Sequence, residues 1–298
     1  MKKSLQKLFD SADTKVVLKP EYTGKGSWIG APAACYSESD DCFYLLVRFR
    51  KEDARGYKTV LYRTGDGVNL EKILKLDADS LRVRSIERGA LRKGDKSWKL
   101  YLSYEDLDDG LWKLALAENR NIADISPDDF KIILEGHDIG VKWVKDPVLF
   151  ENTLFVHTNG PIGKATYSVE NLNNIWKGTK VLCGEHEWDA YCPRATAIVK
   201  AAHYFFVFYD GASTSRENQE EKTGIAYGKN LKYLKSITPD GPVLTSQEGS
   251  GSLRYVEIKL LKGNFWIWYE LSAIDGSHEL HFLNVEEKEF LDILNGYL

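Results

Sequence analysis

The sequence predicts an all-β fold, a five-bladed β-propeller, and three observations carry the prediction. Aromatic residues are abundant, with 8 Trp, 16 Tyr and 12 Phe against a single Met, and broad rings pack well across pleated strands. Helix signals are few. Most decisively, one composite pattern recurs five times: an approach motif, a short apolar strand, a polar turn and a strongly aromatic strand. A repeat of about 60 residues with roughly four strands is a propeller blade with long loops. A β-sandwich, or two small β-domains, would not require five similar segments. We therefore expect residues 1–298 to form one propeller domain.

Taken in order, residues 14–20 (TKVVLKP) read as a strand placed to complete the last blade and close the ring. The five heads lie at 26–50, 85–106, 142–160, 187–211 and 252–276. Their approach positions, Pro32, Arg88, Pro147, Pro193 and Arg254, recur at steps of 56, 59, 46 and 61 residues, and each is expected to start or precede an innermost strand. A second strand-and-turn motif follows each head, at 59–73, 111–122, 163–175, 223–234 and 278–291, often with Asp or Asn where a turn wants a side-chain oxygen. Helix is expected in two places only: a short turn at 126–129 and a C-terminal helix over 286–294.

Composition narrows the function classes. The net charge of −4 disfavours nucleic acid and anionic membrane as partners. No apolar run approaches the ~18 residues of a membrane span. The N-terminal MKKSLQKLFDSADTK lacks an apolar signal-peptide core, so a cytoplasmic location is expected. Cys35, Cys42, Cys183 and Cys192 show no CxxC spacing and read as reduced thiols. No GxSxG elbow, P-loop, HExxH or GxGxxG is present, and neither cofactor nor metal is expected.

Lys145-Asp146-Pro147 followed by VLFENTLFVHTNG, together with TGIAYGKNL and FYDG, resembles the five-bladed propeller glycoside hydrolases: arabinanases, β-xylosidases, invertases, levansucrases and the mannoside phosphorylases. The resemblance runs over nearly the whole chain. It implies an axial funnel that binds a small oligosaccharide or modified sugar, and three acids: a base or nucleophile in the first blade, a supporting Asp and a later Glu. Asp146 stands at the supporting position. The first-blade motif reads Gly30-Ala31-Pro32, without the acid, and Tyr191 stands where the later Glu is expected. The leading expectation is a glycoside hydrolase or related glycosyl-transferring enzyme. The alternatives are a catalytically silent propeller that binds a sugar or protein, and a sugar lyase.

Equivalent points of successive repeats nominate the site. The acids are Glu87, Asp146, Asp189 and Glu257, with Asp210 and Glu270 at the far ends of aromatic strands. Cleavage of a glycosidic bond needs a proton donor and an ionised carboxylate. Lys145 favours ionised Asp146 as base or stabiliser, whereas Trp188 excludes water from Asp189, the preferred donor ahead of Glu87. Arg48, Arg50, Arg88, Arg194 and Arg254, all in or next to the heads, suit an anionic sugar, a sugar phosphate or phosphate through bidentate forks. Equally, they suit ion pairs with Glu87, Asp146 or Glu257 that glue blades together. Trp28, Trp143 and Trp188, four or five residues before head prolines, are expected to form a sugar-stacking rim. The resemblance implies that His278, in the last blade, lies near the axis.

Overall fold

The structure, a computed structural model, describes residues 4–160, 163–173 and 175–298. It contains five four-stranded antiparallel units. The first is β2 (Trp28–Ser37), β3 (Cys42–Arg50), β4 (Lys58–Thr64) and β5 (Glu71–Asp77), preceded by α1 (Leu5–Phe9) and β1 (Lys15–Leu18). After α2 (Ala78–Leu81) come β6 (Ser85–Lys93), β7 (Trp98–Glu105), β8 (Trp112–Asn119) and β9 (Lys131–Leu134). The third unit is β10 (Val144–Phe150), β11 (Thr153–Gly160), β12 (Gly163–Leu172) and β13 (Ile175–Cys183). The fourth is β14 (Arg194–Ala201), β15 (Tyr204–Gly211), β16 (Lys222–Gly228) and the two-residue β17 (Lys235–Ser236). The fifth is β18 (Leu253–Leu261), β19 (Asn264–Ser272) and β20 (His278–Glu286), followed by α3 (Glu287–Asn295).

Strand β1 pairs antiparallel with β20 and supplies the fourth strand of the last blade, as the 14–20 segment predicts. Apolar clusters then close the ring, one between each pair of neighbouring blades. Leu46 and Leu61 meet Leu91 and Leu100, and Leu114 and Leu134 meet Val144 and Val156. Val148 and Phe155 meet Ile198 and Val207, Phe206 and Phe208 meet Ile267 and Val256, and Trp268 and Phe282 return to Phe43 and Val47. The aromatic strands thus fill the wedges between sheets, which is why each β3-type strand is rich in rings. Each interface is apolar, so the charged head residues must lie elsewhere.

Four of the five head positions differ from expectation by a few residues. Pro32, Arg88, Pro147 and Arg254 lie inside their inner strands, and only Pro193 immediately precedes one. The C-terminal helix is displaced by one residue from 286–294, and 127–129 forms the expected turn as a 3₁₀ helix. Helix α1, absent from the sequence reading, is too short for a periodic pattern. Leu5, Leu8 and Phe9 bury it against the fourth and fifth blades.

Phe290 of α3 is fully buried, 4.8 Å from Phe265 and 6.1 Å from Phe208. Phe290→Ala should therefore cost about 3–5 kcal/mol, measured as a shift in the urea unfolding midpoint at unchanged slope.

Candidate functional site

A shared irregularity builds the axis. Every inner strand pairs with its neighbour through a one-residue bulge at the same level: Gly30/Ala33, Ile86/Gly89, Lys145/Val148, Ala195/Ala197 and Arg254/Glu257. A bulge bends the strand and re-aims the side chains beside it. Ala31, Asp146 and Tyr255, each within a bulge, have φ of 48°, 51° and 51°, a conformation non-glycine residues seldom adopt. Asp146, Glu87 and Tyr255 are thereby turned towards the centre, with Arg194 and Arg254 beside them.

These side chains pair into a buried cluster that crosses blade boundaries. Arg48 joins Glu87 (2.7 Å) and Glu270 (2.8 Å). Arg254 joins the other oxygen of Glu270 (2.7 Å) to Glu221. Arg194 holds Asp210 (2.7 Å), Asp146 (3.4 Å) and Glu221 (3.5 Å). Arg88 pairs with Glu257 and donates from Nε to the Pro32 carbonyl (3.1 Å). Tyr255 lies in their midst, its ring 3.9 Å from the Arg194 guanidinium and its hydroxyl donating to Glu87 (3.3 Å). Glycine at position 30 is required by this arrangement, because a Cβ there would collide with the Glu270 carboxylate.

Residues 212–221, between β15 and β16, cap the cluster. Glu221 inserts between Arg194 and Arg254. Glu220 lies 2.9 Å from His278 Nε2, and Gln219 accepts from Arg50 (2.9 Å). Asn218 accepts from Lys164 (3.1 Å). Four successive residues thus each hold a group at the mouth, and Gln219 does so with φ of 84°.

The expected open funnel is corrected by this filling. The cavity lined by all five inner strands has a volume of about 40 Å³ and touches Arg88 and Glu257, but not Glu87, Asp146, Arg194 or Arg254. A roomier hollow, about 720 Å³, lies along α3, far from the axial charges. The ion-pair reading of the arginines is the one the geometry realises: Arg48 with Glu87, Arg88 with Glu257, and Arg194 with Asp146.

Individual expectations fare differently. Asp189 is buried outside the cluster. It accepts from the amides of Glu185 and His186 and from the Tyr209 hydroxyl (2.7 Å), so it ties down a loop and is not placed to protonate a substrate. Trp188 donates to the Thr238 carbonyl (2.8 Å) and packs where Gly211 and Gly224 leave room, and so forms no rim. Trp28 is buried. It stacks on His278 at 4.5 Å, and Arg50 and Arg254 lie over its ring at 4.5 and 4.9 Å. Trp143, half-buried like Trp188, lies edge-on to His157. Neighbouring Arg88 does not pair with Glu87, since adjacent strand residues face opposite ways; Arg48 does. His278 does sit by the axis, with Nδ1 2.7 Å from Glu270.

The repeats gave no sign of Glu221, Tyr255 or the His157–Cys192 pair (3.6 Å), whereas Arg50 was already among the head arginines. Tyr255 follows Arg254 as Asp146 follows Lys145 at the bulges, a correspondence hidden by the head alignment, which set Arg254 level with Pro147. Glu221 has no such counterpart, since it comes from a loop outside every repeat.

Environment divides the axial acids. Burial would raise Glu87, but Arg48, Lys145 and Arg50 together hold it at about 2. Burial, reinforced by Glu221 and opposed by Arg194, pushes Asp210 up to about 6. Glu270, despite burial, is held well below the usual carboxylate range by Arg254 and Arg48. One fully buried group therefore titrates far above its ionised neighbours, at about 6, still below neutrality.

No family profile matches this chain, and no curated protein sequence matches it. Solved structures do. A thermostable family-43 glycoside hydrolase superimposes with a TM-score of 0.64 at 14% identity, covering 90% of this chain and 92% of the other. This is the propeller fold of the family-43 glycoside hydrolases. A family-43 subfamily-1 enzyme from Xanthomonas citri in complex with xylotriose gives 0.60 at 12% identity, over 94% and 92% of the two chains. A family-43 β-xylosidase/α-arabinofuranosidase from a compost metagenome gives 0.59 at 12%, over 92% and 94%. Against that fold, the Gly30-Ala31-Pro32 departure has a structural counterpart. The Ala31 amide donates to Glu270 (3.1 Å), so a fifth-blade carboxylate reaches the bulge where the first-blade acid is missing.

The pKa shifts set opposite pH dependences. Glu87, lowered from 4.5 to about 2, contributes stability that is present above pH 4.5 and lost as pH falls towards 2. Asp210, raised from 3.8 to about 6, contributes stability that is present below pH 3.8 and lost as pH rises through 6. Urea midpoints measured against pH should fall on the acid limb, and Glu87→Gln should flatten that limb. Asp210→Asn should instead flatten the decline between pH 4 and 6.

Proposed function

We propose that the chain is a glycoside-hydrolase-like propeller acting on a small carbohydrate at the mouth of its axis. The observation that carries this reading is the divergence of two axial carboxyls. Asp210, pushed up to about 6, is the axial carboxyl that takes up a proton most readily, and Glu87, at about 2, stays ionised. Asp210 thus replaces Asp189 as the proton donor, and Glu87 or Asp146 supplies the negative charge that a developing oxocarbenium ion requires. Likeness to a propeller crystallised with xylotriose supports a carbohydrate ligand. Because the acids are sealed by residues 218–221, turnover on this reading begins with withdrawal of the 212–221 segment.

A second reading, binding without hydrolysis, is favoured by Ala31 and Tyr191 at the two acid positions. Tyr191 lies beneath Lys164, whose Nζ is 3.9 Å from the ring centre.

Asp210→Asn and Glu87→Gln should each lower turnover by about 10²–10⁴-fold on aryl glycosides or xylo-oligosaccharides, with circular dichroism unchanged. Undiminished turnover in both variants would remove the catalytic assignment. Wild-type binding of the same sugars with no turnover would select the second reading.

A further inference from the structure

On the first-blade side of the mouth, buried cations share carboxylates that other arginines already hold. Arg50 is 8% exposed, yet its nearest carboxylate oxygen, on Glu87, is 3.8 Å away, and Glu87 is already engaged by Arg48 at 2.7 Å. Its close partner is a neutral amide, Gln219, and among the described residues its Nε has none. Among the described residues Lys145 pairs with Asp146 alone (3.4 Å), which Arg194 also holds, and its ammonium lies 4.8 Å over the Trp112 ring. Arg55, over the other reach of Trp112 at 5.5 Å, is satisfied by Glu105 at 3.2 Å. Arg48, Lys145, Arg50 and Arg55 all bear on the one Glu87 carboxylate.

Desolvating a guanidinium without a carboxylate of its own is costly, and a neutral amide returns only part of that cost. Burial brings Arg50 down to about 10, the expected response of an under-compensated cation. Gln219, whose carbonyl oxygen occupies the Arg50 fork, is the residue held at φ 84°. A planar, bidentate acceptor with a full negative charge would satisfy the fork better than one amide oxygen.

We propose that Arg50 and Lys145 form an anion-recognition subsite for an acidic sugar, a uronate or a sugar phosphate, and that Gln219 occupies this subsite in the closed form. This rests on the reading of the mouth as a carbohydrate site and names the class of its ligand. The ligand's carboxylate or phosphate replaces the Gln219 amide on Arg50, its second oxygen reaches towards Lys145, and the 212–221 segment withdraws as the exchange occurs. Glu87 and Asp146, the acids that face the same point, are held by Arg48 and Arg194 and so remain paired.

Calorimetric titration of the full chain with glucose, glucuronate and glucose 6-phosphate tests the proposal. It is run on the wild type and on a variant with 213–219 replaced by a Gly-Ser linker. Charge-assisted hydrogen bonds predict an acidic sugar bound about tenfold or more tighter than glucose. The shortened variant should bind it tighter still, because the closed form no longer competes. Arg50→Gln should abolish the preference for the acidic sugar and Arg50→Lys should retain part of it, each checked for native circular dichroism. Preference for glucuronate assigns a carboxylate, and preference for glucose 6-phosphate a phosphate. Equal affinity for all three sugars, or a preference untouched by Arg50→Gln, overturns the anion subsite while leaving the sugar site standing. Failure of every sugar to bind even the shortened variant overturns both.

Discussion

Charge burial at the axis is the constraint on which the rest of the structure depends. Five sheets packed around a line leave a narrow central space, and here it is filled with guanidinium and carboxylate groups. Taking such groups from water costs several kcal/mol each, and this is offset only when every charge meets a partner in good geometry. The chain Glu87–Arg48–Glu270–Arg254–Glu221–Arg194–Asp210 meets that demand by joining the first, second, fourth and fifth blades to an inter-strand loop. The third blade enters through Asp146. Each blade thus contributes to one electrostatic unit, while apolar wedges between blades supply the bulk of the burial.

The same constraint shapes the functional reading. Where partners are plentiful, acids are pinned in the ionised form, as Glu87 and Glu270 are. Where two carboxyls crowd one arginine, as Asp210 and Glu221 do at Arg194, one of them is pushed up, to about 6. A neutral amide at Arg50 marks the point where pairing is incomplete. The loop that seals the axis is therefore also the element whose contacts a ligand can replace. Stability and access are coupled through residues 218–221.

Much of the fold was legible because a blade repeats. Five heads in strict alternation with five tails identify the five sheets, and the spare strand at 14–20 identifies the closure. Repeat position also located Glu87, Asp146, Arg194, Arg254 and Glu270 correctly near one axis, and suggested that arginines there pair with acids. Sequence adjacency misled in two places. Asp189 follows Trp188, yet both serve the fourth blade's loop, because glycines at 211 and 224 draw the indole inward. Arg88 follows Glu87, yet the pleat sends them to different partners. Glu221 and Gln219 were illegible for another reason: they belong to a long loop with no repeat counterpart, so only the folded chain brings them to the axis.

The central claim is that Glu221 completes the axial charge cluster, and a double-mutant cycle in urea tests it most directly. Glu221→Gln takes one carboxylate from each of two buried guanidinium groups, which keep Glu270 and Asp210, and the account predicts a loss of about 3 kcal/mol in unfolding free energy. Adding Arg254→Met should return part of that loss, giving a clear coupling between the two positions. A Glu221→Gln protein within about 0.5 kcal/mol of the wild type, with no coupling to Arg254, falls in the range of ordinary surface substitutions and would contradict the account.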